Sequence, residues 1–168
     1  CAEDVMVIKA IPGCEFVAPG SAKQFISLFN ESYRDGRPTF FRVSDHPNTE
    51  YDVDVEFGKA NVIKKGSKAT VVAVSVMLDE VMKACADMDV TVLYYTTLEP
   101  FDHKTLAENC ESGKVLIVEP EYEGSLLYDV FKALSGKPVR AESVAFPREI
   151  FRNYGTYNEK MNYYGLTE

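Results

Sequence analysis

Ala69-Thr-Val-Val-Ala-Val-Ser75 is apolar and rich in β-branched residues along its length, the composition of a strand covered on both faces in a parallel sheet. It has no polar face to offer water. Directly after it, Leu78, Val81, Met82 and Cys85 recur at helical spacing with Asp79, Glu80 and Lys83 between them, which gives one apolar stripe for the sheet. The same round then repeats. Val90-Thr-Val-Leu-Tyr-Tyr95 reads as a second strand, and Asp102 or Thr105 caps a helix carrying Leu106 and Cys110. Lys114-Val-Leu-Ile-Val118 is a third strand, Leu127, Val130, Phe131 and Leu134 form a further stripe, and Pro138 to Ala145 holds one more strand. Strands alternating with helices imply right-handed crossovers, so the fold class is α/β with a mostly parallel open sheet flanked by helices.

Composition narrows the function classes. The 168 residues are 46% apolar, ample for a core. With 18 basic against 26 acidic residues the net charge is −8, and no basic stripe stands out, which argues against nucleic acid or an anionic membrane surface as partner. No stretch approaches the ~20 apolar residues of a membrane span, and a cytoplasmic location is expected. Cys1, Cys14, Cys85 and Cys110 are far apart and form no Cys-x-x-Cys pair, as in reduced thiols rather than a metal or redox site.

The segment before the first strand is of another kind. Val5, Met6 and Ile8 suggest a short helix, Cys14 to Val17 a strand, Ser21 to Tyr33 a helix, and Thr39 to Val43 another strand. Ser21 with Gln24 has the spacing of a capping box, and Ala22, Phe25, Ile26, Phe29 and Tyr33 fall along one side of that helix. Two strands and two helices leave apolar surface uncovered on surface-to-volume grounds, so residues 1–48 are expected to be the tail of a domain whose first part lies elsewhere. The polar, proline-bearing stretch after His46 suits an exposed connector, and the linker is placed at 49–57.

These residues resemble the transketolase family. Ala2-Glu-Asp-Val-Met-Val-Ile-Lys-Ala-Ile-Pro-Gly13, Phe16-Val-Ala-Pro19 and Pro38-Thr-Phe-Phe-Arg42 look like the close of a pyrimidine-binding domain. Residues 58–168 are similar to the transketolase C-terminal domain through Gly58-Lys-Ala-Asn-Val-Ile-Lys-Lys-Gly66, the Thr70 strand, Val118-Glu119, Tyr154-Gly-Thr156 and Tyr164-Gly-Leu-Thr167. The resemblance implies a thiamine diphosphate- and magnesium-dependent enzyme that moves a two-carbon ketol unit between sugar phosphates. It also implies that this chain supplies no catalytic, cofactor or metal residue, needs the missing N-terminal domains or a partner subunit, and joins a homodimer of the full enzyme. Deoxyxylulose phosphate synthases and the β subunits of 2-oxo acid dehydrogenases are the related alternatives, and a non-enzymatic binding module is the alternative of another class.

The resemblance places substrate phosphate near the end of the Thr39 to Val43 strand, where Arg42 and His46 flank Asp45. A guanidinium fork matches phosphate oxygens; a carboxylate at Asp45 repels them. From residue chemistry alone, Arg42 pairs with a neighbouring acid and His46 is a surface histidine. The remaining features read as structural. Glu119-Pro-Glu-Tyr-Glu123 follows a strand where α/β sheets place ligands, yet it reads as solvated loop and helix N-terminal charge. His103 beside Asp102 reads as a helix-start residue, and Tyr154, Tyr157, Tyr163 and Tyr164 pack a terminal helix that Thr156 and Glu159 cap and Gly165 ends.

Overall fold

The computed structural model describes residues 2–152 and 154–167. Among them are two helices before the first core strand, α1 (Asp4–Lys9) and α2 (Ala22–Ser32), and two short strands, β1 (Glu15–Val17) and β2 (Thr39–Phe41). The Thr70–Val74 run forms β4, preceded by β3 (Asn61–Lys64) and followed by a 3-10 turn at Ser75–Met77 and α3 (Leu78–Ala84). Then come β5 (Thr91–Tyr95), β6 (Thr97–Glu99), α4 (His103–Asn109), β7 (Lys114–Tyr122), α5 (Leu127–Ala133), β8 (Arg140–Phe146) and α6 (Tyr157–Tyr163).

The larger sheet has the order β3-β5-β4-β7-β8, parallel except for β3, which runs antiparallel to β5. The both-faces burial read from the Thr70 strand follows from alternation along the pleat. Val71 and Ala73 join one cluster with Met77, Leu78, Val81 and Tyr94. Val72 and Val74 join the other with Leu93, Tyr95, Leu106, Ile117 and Val130. Asp102 caps α4 by accepting from the Thr105 N–H at 3.0 Å, and the Thr156–Glu159 capping box starts α6.

The first 48 residues close no core of their own. Ala2, Val17 and Leu28 enter the first cluster, and Val5, Phe16 and Ala18 enter the second. Their strands form a three-stranded sheet, β2-β1-β6, in which β1 is parallel to β2 and antiparallel to β6. The chain thus runs from β5 of the large sheet into β6 of the small one across a single residue, Thr96.

Two elements differ from their reading in the sequence. The side of α2 carrying Phe25, Ile26, Phe29 and Tyr33 faces outward, with Ile26 60% and Tyr33 47% exposed, while Gln24, Leu28 and Ser32 are buried. Ser21 Oγ accepts from the Gln24 N–H at 3.2 Å, but Gln24 Oε1 accepts from Gly20 N–H at 2.9 Å rather than from Ser21, so the capping box is shifted by one residue. The acidic run after Val118 is also not a solvated loop. β7 continues to Tyr122 and buries Glu119 and Glu121 completely; among its acids only Glu123 is exposed. The reason is a neighbour distant in sequence: Arg42 and Ser143 receive the two carboxylates.

Cys14, Cys85 and Cys110 are free and buried, and burial pushes the Cys85 thiol up; Cys1 lies outside the described residues. No helix among the described residues is long and apolar enough to cross a membrane.

Candidate functional site

In the large sheet, β4 leads to β5 on one side while its other neighbour, β7, leads to β8 on the opposite side. Chains that leave adjacent strand ends in opposite directions open a crevice there, the usual ligand position in an open α/β sheet. A cavity of about 550 Å³ lies at this point, lined by Ser75 and Val76 after β4, Pro120 of β7, Phe40 to Asp45 at the end of β2, Asp4 of α1 and Tyr157 of α6. Ser75 is the only non-glycine residue with positive φ, +55°, among the described residues. Strain of this kind persists where surrounding contacts enforce it, and it collects at functional sites.

Behind this cavity lies a buried polar network. Arg42, on leaving β2, donates through Nη1 to Glu121 and through Nη2 to the Pro120 carbonyl at 3.0 Å, tying the N-terminal segment to β7. Glu119 Oε1 accepts from Ser143 Oγ of β8 at 2.7 Å. The backbone N–H groups of Gly124 and Ser125 also favour the charged form of Glu119, whereas Glu121 Oε2 has no hydrogen-bond partner among the described residues. Burial pushes Glu119 up to about 8, with the Glu121 charge adding to the rise; burial pushes Glu121 up to about 7 against the opposing pull of Arg42.

Beside the lining residues Tyr157 and Asp45, the His46 ring stacks on Tyr157 at 4.6 Å, and its Nδ1 lies 2.7 Å from Asp45 Oδ1. Burial pushes the Tyr157 hydroxyl up to about 12. The two residues that sequence reasoning associated with substrate therefore stand on one loop, but in different states. Arg42 lines the cavity but is committed to Glu121, whereas His46 lies outside the lining and touches it through Tyr157 and Asp45.

A second network went unread in the sequence. Gln24 Oε1 accepts from Tyr94 OH at 2.8 Å, and Asn48 Nδ2 donates to the Ser75 carbonyl at 2.9 Å. Gly20 makes room for them: a Cβ there would lie 2.2 Å from both Asn48 Nδ2 and Tyr94 OH. Asp79, near the start of α3, accepts the backbone N–H groups of Thr49 and Glu50 on Oδ2 and of Tyr51 on Oδ1, at 2.6, 3.0 and 3.0 Å. The connector is exposed at Thr49, Glu50, Asp52 and Asp54, as read, but it is strapped down rather than loose. The sequence signal was a polar Asn-Thr-Glu turn with no partner in local sequence.

His103 does not pair with Asp102, which is occupied capping α4 and accepting from Ala60 N–H at 3.0 Å. Its Nε2 faces Asp129 of α5 at 3.6 Å, where Lys9 bridges Asp129 and Glu99 at 3.0 and 3.1 Å. This cluster joins α1, β6, α4 and α5. Among the described residues no three His, Cys, Asp or Glu side chains converge on a point that could hold a metal ion, and the cavity's one arginine is already paired. A magnesium diphosphate needs oxygen ligands for the metal and donors for the phosphates, so the described residues do not fit that group.

Residues 58–165 match the sequence model of the transketolase C-terminal domain. An uncharacterized 33.6 kDa protein in the fasciation locus of Rhodococcoides fascians is 31% identical over 167 residues, covering 97% of this chain and 53% of that protein. A 6-deoxy-6-sulfo-D-fructose transketolase subunit of a Clostridium species is 25% identical, with 70% and 39% covered. The pyruvate dehydrogenase E1 component subunit beta of Rickettsia conorii is 28% identical, with 66% and 37% covered. The chain thus spans about half or less of the length of these relatives. Among solved structures, a split-gene transketolase, described as an inactive beta4 tetramer, superposes with a TM-score of 0.83 at 23% identity, covering 99% of this chain and 57% of that one. The fold is therefore shared.

Proposed function

Because this chain belongs to the transketolase C-terminal domain family, we propose that it is the carboxy-terminal part of a thiamine diphosphate-dependent enzyme that transfers a two-carbon ketol unit between sugars. In such a transfer the donor's C2–C3 bond breaks and a new C–C bond forms at the acceptor aldehyde carbon. The proton lost from the donor's C3 hydroxyl is balanced by one taken up at the acceptor oxygen, so no redox partner is needed. Cofactor and magnesium are assigned to the remainder of the enzyme. The division into a pyrimidine-domain tail at 1–48, a linker at 49–57 and a C-terminal domain at 58–168 belongs to the same proposal.

The observation that carries this reading is the outward face of α2. Phe25, Phe29 and Tyr33 stack in sequence at 5.8 and 5.2 Å, and Phe25 and Phe29 rest on Phe41 at 5.4 and 5.8 Å. An apolar face of this size beside the candidate site marks a contact surface. Its occupant is taken to be the cofactor-binding part of the enzyme, since the relatives are about twice this length and two of them are named as subunits of larger enzymes. The substrate-facing role falls to the cavity beside it, with Arg42 and His46 on its loop.

The test is to purify the full-length protein with its cofactor-binding partner and assay ketol transfer. Phe29→Asp should weaken the assembly at least tenfold while leaving the melting temperature of the separate chain within about 3 °C. An unchanged assembly, or an active enzyme formed without any cofactor-binding partner, rejects the reading. The similarity to pyruvate dehydrogenase beta subunits supports one rival chemistry, and turnover of a 2-oxo acid in place of a ketose would select it.

A further inference from the structure

Among the described residues that line the cavity at the switch point of the sheet, the one cation is already engaged. Of its lining residues only Arg42 carries a permanent positive charge, and that charge is spent on Glu121, which is fully buried and whose second oxygen lacks a partner among the described residues. Asp45 places an exposed carboxylate in the lining, and Ser44, Ser75 and Tyr157 add hydroxyls. His46 is not in the lining; it stacks on Tyr157 with its Nδ1 2.7 Å from Asp45 Oδ1. Releasing Arg42 to an incoming anion would strand Glu121 in the protein interior, which is costly for an ionised carboxyl.

Charge and chemistry therefore agree. Carboxylates are acceptor-only groups that take hydrogen bonds from hydroxyls, and serine hydroxyls both donate and accept. We propose that this cavity selects a neutral, polyhydroxylated sugar end rather than a phosphorylated one, and that Asp45 is the residue that sets the preference. The inference rests on the reading of the cavity as substrate-facing. It departs from a sugar-phosphate substrate, which the resemblance alone implies, and gives the site a substrate class from its own residues. Asp45 is suited to the role. Its side chain is 89% exposed, so it can turn to a ligand hydroxyl without disturbing the core.

The experiment uses the full enzyme with its cofactor-binding partner, and matched aldose acceptors offered free and as terminal phosphate esters. The native enzyme should favour the free aldose at least tenfold in kcat/KM, and inorganic phosphate at 10 mM, a concentration set for the assay at roughly a hundredfold over a tight phosphate site, should not compete. Asp45→Arg should move the ratio toward the phosphate ester at least tenfold, mainly through KM, and should make inorganic phosphate a competitor. Asp45→Asn, which keeps the shape and removes the charge, should fall between the two. Native preference for the phosphate ester, or a ratio unmoved by both substitutions, overturns the inference while leaving ketol transfer intact. Failure to transfer a ketol unit to any acceptor overturns the proposed function, and the inference with it.

Discussion

Replacing Asp79 by Ala removes the acceptor that holds three consecutive backbone N–H groups of the connector, those of Thr49, Glu50 and Tyr51. A hydrogen bond to a charged partner contributes about 1.5–3 kcal/mol when enclosed. Thr49 and Glu50 are exposed, so water replaces part of what is lost, and about 1 kcal/mol per bond is the reasonable figure. The sum is about 3 kcal/mol, or roughly 6–12 °C in melting temperature for a chain of this size. Urea denaturation of both proteins gives the energy, and amide exchange at residues 49–51 locates it. The effect has a definite acid dependence. These N–H bonds outweigh burial and hold the Asp79 carboxyl below its ordinary value of 3.8, so its contribution is present above that value and is lost as pH falls through the lower, folded one. The gap between native and mutant proteins should therefore be full at pH 6 and shrink below about pH 4. A loss under about 1 kcal/mol, or connector amides equally protected in both proteins, would refute the assignment of Asp79 as the strap.

Arg42→Met should cost about 3–5 kcal/mol at neutral pH, because it leaves Glu121 enclosed without its cation; equal stability of the two proteins by denaturant titration would contradict the pairing. Glu119 and Glu121 are raised, so their contribution is fully present below the unfolded carboxyl range and is lost as pH rises through about 7 and 8. The urea midpoint should accordingly decline between pH 5 and pH 9, and Glu119→Gln should flatten that decline. Lys64 Nζ donates to the carbonyls of Cys85, Ala86 and Met88 at 2.5, 3.0 and 2.7 Å, just past the end of α3. Lys64→Met should cost about 1–2 kcal/mol, read from the melting temperature, with faster amide exchange confined to residues 81–88.

What the sequence carried well was periodicity. Alternate residues of Thr70–Val74 enter opposite cores, and the stripes after it form α3, α4 and α5, because 2.0- and 3.6-residue repeats are properties of the local backbone. Two strands escaped notice. β3 and β6 are four and three residues long, and each is held by pairing to a distant strand rather than by its own pattern. The face of α2 was legible as a set of residues sharing one side, but not as the side left open.

The chemistry of the site was less legible for the same reason. Arg42, Asp45 and His46 stood out locally, and the pairing of Arg42 with an acid followed from residue chemistry. Which acid it was, Glu121, lies 79 positions away. Glu119 and Glu121 look like surface charges in any window of sequence, and it is Arg42 and Ser143 of β8, distant along the chain, that meet them in the interior. The amino-acid order alone thus determined the helices and the strands with a pattern of their own, the fold class and the family, since those depend on neighbours along the chain. Tertiary structure decided which charges are neutralised and which face remains uncovered, because burial and Coulomb pairing depend on distance in space, which adjacency in the chain does not specify.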